Sequence, residues 1–314
     1  MRRFIIDTDT GSDDAVAIIM ALRDPNVRVE AFTVVAGNVG IDRATENCLI
    51  SIEMAGTYAP PVYKGLSRPI IREVIEEEKN YDVHGYDGMG DIGIPAPTLK
   101  AEEEHAVDFL IRYIEENPDE LELVTIGPVT NLAWVAHRSP ETLKKLKRIY
   151  MMMGTGAWFG NVNGLTEGNA FMDPEALDIV LRYAGCEIIL IGWDMCINEY
   201  MFNKEEIDAL YATGSPIAKF CLDINQMLIK LNEDRFGEPC FDMADPAAMA
   251  VALDPGMIEK SVTAYHHVET SKGIAYGAIC AEVYSEIGKR APNATTVVKA
   301  DAARLKKCIT DRIV

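Results

Sequence analysis

Short apolar runs alternate with longer stretches of helical periodicity from the first residues of the chain onward. Residues 3–7 are apolar and end in an acid; residues 13–22 then space apolar side chains three and four apart until Arg23-Asp24-Pro25 interrupts them. Residues 28–36 are rich in β-branched side chains and stop at Gly37-Asn38, and residues 41–55 return to the helical period. On the same grounds strands are predicted over 61–63, 121–126, 149–153 and 187–191. Helices are predicted over 102–116, 129–136, 175–183, 204–211, 216–231, 247–253 and 302–308. Residues 261–268 and 273–283 read as a late strand pair. Residues 65–100 carry Gly and Pro with little periodicity, and residues 154–172 form a Gly/Asn-rich loop. Loops of such length inside a domain are usually functional.

Alternation of this kind builds parallel βα units. The expected fold is α/β: a single doubly wound, mostly parallel sheet with a small antiparallel addition, one domain over residues 1–314. No internal repeat, linker or low-complexity tract interrupts the pattern. In such a sheet the ligand lies outside the carboxyl ends of the strands. Attention therefore falls on Asp7-Thr8-Asp9, Gly37-Asn38, Ile126-Gly127, residues 154–169 and Trp193-Asp194, each directly after a strand.

Composition narrows the chemistry. The 314 residues are 48% hydrophobic and 25% charged, and 30 Lys+Arg stand against 49 Asp+Glu, a net charge of −19. A surface that acidic repels phosphate backbones and disfavours general nucleic-acid binding. Seven cysteines are scattered without a C-x-x-C pair, as expected of buried free thiols in a reducing compartment. Met1-Arg2-Arg3 leads straight into the first strand without a signal-peptide core. No stretch nears the ~20 apolar residues of a membrane span. The expectation is a cytoplasmic protein without a membrane partner.

One segment stands apart. Asp7-Thr8-Asp9-Thr10-Gly11-Ser12-Asp13-Asp14-Ala15 places four carboxylates within eight residues, where the first strand meets the first helix. Helix capping accounts for one or two acids at such a place. Four would repel one another severely at the mouth of a sheet, and a hard divalent cation with oxygen ligands, as Ca²⁺ prefers, relieves that repulsion. An EF-hand counted from Asp7 would put its required acid, Gly and Glu at Gly11, Ser12 and Ile18, so that motif fails. A haloacid-dehalogenase-like phosphatase also opens with strand–Asp-x-Asp, its first Asp the nucleophile. Gly11 and the Asp13-Asp14 pair depart from that pattern.

Taken whole, the segment resembles the opening signature D-x-D-x-G-x-D-D-A of the inosine-uridine-preferring nucleoside hydrolases, met by Asp7, Asp9, Gly11, Asp13, Asp14 and Ala15. The resemblance continues to at least residue 255. Gly37-Asn38 follows the second strand as in that family, and His84-Gly85 with Gly88-Met89-Gly90 matches its H-G-x-x-G-M-G loop. Ile126-Gly127-Pro128-Val129-Thr130-Asn131-Leu132-Ala133 matches G-P-L-T-N-L-A. Gly160-Asn161, Glu167-Gly168-Asn169 and Asp173-Pro174-Glu175-Ala176 match G-N … E-x-N … D-P-E-A, and Asp245-Pro246 matches a late D-P pair before a helix. Six motifs in order at compatible spacing are very specific.

The resemblance implies a Rossmann-like fold and a Ca²⁺-dependent cleavage of ribonucleosides, at the N-glycosidic bond, to ribose and a free purine or pyrimidine base. Carried over residue by residue, the Ca²⁺ ligands would be Asp9, Asp14, the backbone carbonyl of Ile126, and Asp245. Asp13 would be the general base that takes a proton from the attacking water. Asn38, Asn161, Glu167 and Asn169 would hold the ribose hydroxyls, and Asp7 would support the metal loop from behind. Family members are commonly homodimers or homotetramers and serve nucleoside salvage.

The chain departs from the family pattern just before the late D-P pair. Members of the inosine-uridine type have His there and purine-specific members Trp, whereas this chain has Ala244, in Asp242-Met243-Ala244-Asp245-Pro246. His84, on a pocket loop, is the best substitute as proton donor to the leaving base. His266 and His267 lie in a strand pattern and are expected to be structural. Asn232, Arg235 and Phe236 fall where relatives carry a mobile segment over the base, residues 225–242, and could touch it. Two alternatives stay open beside the hydrolase: the Mg²⁺-dependent phosphatase, and a nucleoside or ribose binder that kept the metal and lost catalysis. Retention of Asp13 beside Asp14 argues against the binder.

Overall fold

The computed structural model describes residues 1–73, 81–284 and 290–314. Its first half alternates strand and helix: β1 (Arg2–Thr8), α1 (Ser12–Arg23), β2 (Val27–Val34), α2 (Ile41–Ala55) and β3 (Val62–Lys64). A one-turn helix α3 (Tyr81–His84) precedes α4 (Ala106–Glu116), β4 (Leu121–Thr125), α5 (Thr130–Arg138) and β5 (Arg148–Met152). Then come α6 (Gly168–Met172), α7 (Pro174–Tyr183), β6 (Glu187–Ile191), α8 (Lys204–Ala212), α9 (Pro216–Asp223), α10 (Gln226–Phe236) and α11 (Ala244–Leu253). The chain closes with β7 (Ile258–Ala264), β8 (His266–Val268), β9 (Ile279–Ala281), β10 (Ala294–Ala300) and α12 (Ala302–Ile313).

Eight strands form one sheet in the order β3-β2-β1-β4-β5-β6-β10-β7, and β8 pairs separately with β9. All neighbours in the large sheet run parallel except β7, which is antiparallel to β10. The expected mostly parallel α/β sheet with a small antiparallel addition is met. β1 is apolar throughout its middle because both its faces are covered, as parallel strands require. Phe4 and Ile6 join the core under α1, α2, α11 and α12, while Ile5 joins the opposite core under α4, α5 and α7. Strand order reverses between β1 and β4, so their carboxyl ends open into the crevice where doubly wound sheets bind ligands.

Three elements differ from the periodicity. The helix expected over 216–231 is two helices, because the Asn225 side chain donates to Ser12 O at 3.0 Å and to Cys221 O at 2.8 Å and breaks the ladder. The expected late strand pair is split: residues 258–264 pair with β10, and only His266–Val268 pairs with β9. Asn293 bonds the backbone of His266 on both sides and turns the chain there. The strand β10 itself was not expected. Part of the long loop over 65–100, residues 74–80, lies outside the described residues.

Among the described residues no helix is long and apolar enough to cross a membrane. All seven cysteines are free; Cys48, Cys196, Cys221, Cys240 and Cys308 are buried, Cys186 partly so, and Cys280 is exposed.

Candidate active site

Three chain segments bring carboxylates to the β1/β4 crevice. The turn after β1 supplies Asp9, the first turn of α1 supplies Asp13 and Asp14, and the first turn of α11 supplies Asp245. Asp13, Asp14 and Asp245 each offer an oxygen within 4.8 Å of the others, and all three are buried. This cluster could hold a metal ion. Asp14 also caps its helix: its carboxylate accepts from Gly11 N at 2.9 Å, from Thr8 Oγ1 at 2.6 Å and from Asn38 Nδ2 at 3.1 Å. Capping thus explains Asp14 in part, and none of the others.

Asp9 is fully buried, takes the backbone N–H of Asn38 on Oδ2 at 2.7 Å, and leaves Oδ1 without a partner. Asp13 Oδ1 is likewise buried and unpartnered. Burial first, then mutual repulsion, pushes the Asp9 and Asp245 carboxyls well above their ordinary range and Asp14 up to about 7. Orphaned, repelling oxygens in a set of oxygen donors are what a hard cation satisfies. The donor set therefore fits a divalent ion of the Ca²⁺ or Mg²⁺ kind.

The backbone is shaped around Asp9. A Cβ at Gly37 would stand 1.9 Å from Asp9 Oδ2, so no larger residue fits without moving that carboxylate. Gly37→Ala should weaken cation binding about 10–100-fold, the range seen for groups that orient metal ligands. Calcium titration calorimetry checks this; unchanged affinity would show that Asp9 is not a ligand.

Asp7 sits differently. It is fully buried in β1, accepting from Thr33 Oγ1 and from Asn131 Nδ2 at 2.8 Å, and it does not line the cavity. Burial pushes its carboxyl to about 7. A phosphatase of the haloacid-dehalogenase type would need this residue exposed as nucleophile, so that reading loses its central group.

The other expected residues line one cavity with Asp9, Asp13 and Asp245: Asn38, His84, Ile126, Asn161, Glu167 and Asn169. Glu167 caps α6 by accepting from Asn169 N at 2.6 Å and Ala170 N at 3.2 Å, and it takes Gly154 N at 2.9 Å. Burial outweighs those bonds and raises its carboxyl to about 7. Asn169 Nδ2 reaches Ile126 O at 3.3 Å and Met152 O at 3.2 Å, tying α6 to the ends of β4 and β5. Asn161 Oδ1 accepts from Gly168 N at 3.0 Å.

His84 is buried with Nδ1 2.9 Å from Ser12 Oγ and 3.8 Å from Asp13 Oδ1. The same Nδ1 accepts the backbone N–H of Ser12 at 3.3 Å, so the proton of the neutral ring sits on Nε2. Burial lowers the imidazole below its ordinary pKa, against the pull of Asp13. The ring is therefore neutral at pH 7, a state suited to hydrogen bonding rather than to donating an imidazolium proton. α3, which ends in His84, packs against α10, and Gly90 lies so close to the connection from α9 to α10 that its Cβ would stand 2.5 Å from Ile224 O.

Beyond the carboxylates the cavity continues into a cleft walled by Trp158, Phe159, Trp193, Met201 and Phe236. Arg235 lines both spaces and Phe236 the cleft, but Asn232 is fully buried behind them and lines neither, which corrects its expected contact with the base. Sequence reasoning left Asp242 and Trp193 without roles, although both line the cavity. An acid one helical turn before Asp245 was the available signal for the first. His266 and His267 are remote, bonded to Thr296 Oγ1 and to Glu282 Oε1.

Residues 4–307 match the sequence profile described as inosine-uridine preferring nucleoside hydrolase. A pyrimidine-specific ribonucleoside hydrolase of Citrobacter koseri is 29% identical over 98% of this chain and 97% of its own length. The solved structure of a plant nucleoside hydrolase superposes with a TM-score of 0.92 at 29% identity, covering 99% of this chain and 98% of that one. A purine-preferring ribonucleoside hydrolase from Gardnerella vaginalis superposes with a TM-score of 0.88 at 30% identity, again over 99% and 98%. The matches span nearly the whole chain: it belongs to the inosine-uridine preferring nucleoside hydrolase family and is a hydrolase acting on N-glycosyl compounds.

Proposed function

We propose that the chain, as one catalytic domain over residues 1–314, is a Ca²⁺-dependent ribonucleoside hydrolase releasing ribose and a free purine or pyrimidine base. The observation that carries this reading is the buried, unpartnered set of carboxylate oxygens at the β1/β4 crevice, facing a cavity lined by amides. Asp9, Asp14, the Ile126 carbonyl and Asp245 would hold the ion. A Ca²⁺ bound there supplies positive charge that acidifies a neighbouring water and holds vicinal hydroxyls.

The chain's own residues then divide the work. Asp13, with Oδ1 free of any protein donor, takes a proton from the water that attacks C1′. Asn38, Asn161, Glu167 and Asn169 hold the ribose hydroxyls and fix C1′ against that water. As the C1′–N bond breaks, positive charge grows on the sugar, and the surrounding carboxylates and amide oxygens favour it. The chain would act in the cytoplasm, in nucleoside salvage, as a homodimer or homotetramer.

Incubation with a nucleoside panel, with and without chelator, tests the reading through release of base and reducing sugar. We expect about one calcium per chain by elemental analysis, turnover of ribonucleosides, its loss on chelation, and its return with calcium. Activity untouched by prolonged chelation would overturn the metal's role. Binding without turnover would favour the non-catalytic reading.

A further inference from the structure

We infer that Asp242 is the residue that protonates the departing base, taking the place that Ala244 leaves vacant. This rests on the hydrolase reading above.

The geometry runs from the shape of the site. The cavity over the carboxylate cluster and the aromatic cleft beside it share four lining residues: Asn161, Trp193, Arg235 and Asp242. With the hydroxyls of a ribose turned to the carboxylates and amides, the junction is the space open to its C1′ substituent, and the aromatic walls there suit a planar heterocycle. Only one of the four can give up a proton near neutrality. An amide and an indole are not acids, and a guanidinium holds its proton beyond pH 12.

Asp242 is also built to do so. It is 2% exposed yet lines the cavity. Its Oδ1 accepts from Asn232 Nδ2 at 2.6 Å, and Asn232 is itself fully buried, with its Oδ1 unpartnered. That contact fixes one carboxyl oxygen and leaves the other to carry the proton. No cation within ion-pairing distance claims it among the described residues. Burial raises the carboxyl to about 7, with Asp13 adding repulsion and the Asn232 bond and Arg235 opposing it, and the Cys196 and Cys240 thiols feel its charge. A carboxyl kept partly protonated at neutral pH by burial is the ordinary form of a glycosidase acid.

The Asp242 carboxyl gives its proton to a nitrogen of the base as the electron pair of the C1′–N bond passes to that base. Water forms the new C1′–O bond and gives a proton to Asp13. Asp242 ends as carboxylate and Asp13 as carboxylic acid. Exchange of one proton through solvent resets both.

The test compares kcat for uridine and inosine with kcat for p-nitrophenyl riboside, whose leaving group needs no acid. It uses the calcium-loaded protein and the variants Asp242→Asn, Asp242→Ala and Asp242→Glu. The readout is the ratio of nucleoside to p-nitrophenyl kcat, which does not depend on the fraction of a variant that folds. In the Asn and Ala variants the ratio should fall about 10²–10³-fold, within the range for loss of a general acid. In the Glu variant, which keeps a carboxyl, it should stay within about tenfold of the parent. An unchanged ratio in the Asn and Ala variants overturns the assignment. So does a collapse of the ratio in His84→Ala with none in Asp242→Asn. Failure of the parent protein to cleave either substrate is a separate result: it overturns the hydrolase reading, and the assignment with it.

Discussion

Asp13→Asn should lower kcat for ribonucleosides by about 10²–10⁴-fold, the usual loss on removing a general base. Asn keeps the shape of the side chain but cannot take a proton, and Asp13 makes no capping bond that the change would break. Asp14 keeps its contacts to Gly11, Thr8 and Asn38, so the turn that frames the cluster stays in place. The variant should therefore still bind a ribose-like inhibitor with affinity within about tenfold of the parent. Its loss should be equally deep on p-nitrophenyl riboside, because water must be activated whatever the leaving group. Steady-state kinetics with inhibitor calorimetry checks both halves. Turnover near the parent rate would remove Asp13 from the mechanism.

Metal-free protein should lose stability as pH rises from about 4 to about 7, the reverse of ordinary acid denaturation. Asp7, Asp14 and Glu167 are each raised to about 7 by burial, whereas in the unfolded chain they titrate in the ordinary carboxylate range. Between those values the folded state holds more protons than the unfolded state, so unfolding releases protons and gains from rising pH. A divalent cation bound at the cluster would replace those protons, so the stabilising effect of added calcium should grow over the same interval. Thermal unfolding in chelator and in calcium across this range measures both trends. A midpoint that climbs steadily with pH in chelator would contradict the first.

Much of this architecture was written in local pattern. Apolar strands such as residues 3–7, and helices such as residues 41–55, announce themselves because each is packed on a face the periodicity reveals. The acidic turn was legible for a different reason, since Asp9, Asp13 and Asp14 crowd one strand end and capping accounts for Asp14 alone, and that only in part. What stayed hidden depends on distant partners. The break at Asn225 needs Ser12, more than two hundred residues away, to accept its side chain. The strand over residues 294–300 is recognisable only beside β6 and β7. α6 is barely more than a turn, held by the Glu167 cap rather than by any hydrophobic stripe. Asp242 looked like one more acid in an acidic chain until the fold set it between two cavities.

The contact between the Gly90 loop and the connection from α9 to α10 has an evolutionary consequence. The carboxylate and amide end of the cavity is anchored to strand ends, which the sheet holds rigidly. The other end is lined by Val83 and His84 from α3 and by Leu228 and Arg235 from α10, two segments seated on each other. Preference for one heterocycle over another can then drift as a paired module while sugar recognition stays fixed. A chimera that imports residues 81–91 together with 224–242 from a relative should shift base preference toward that relative's, within the limits set by Trp158, Phe159 and Trp193 of the cleft wall, and importing either piece alone should leave a mismatched seam at Gly90 and Ile224.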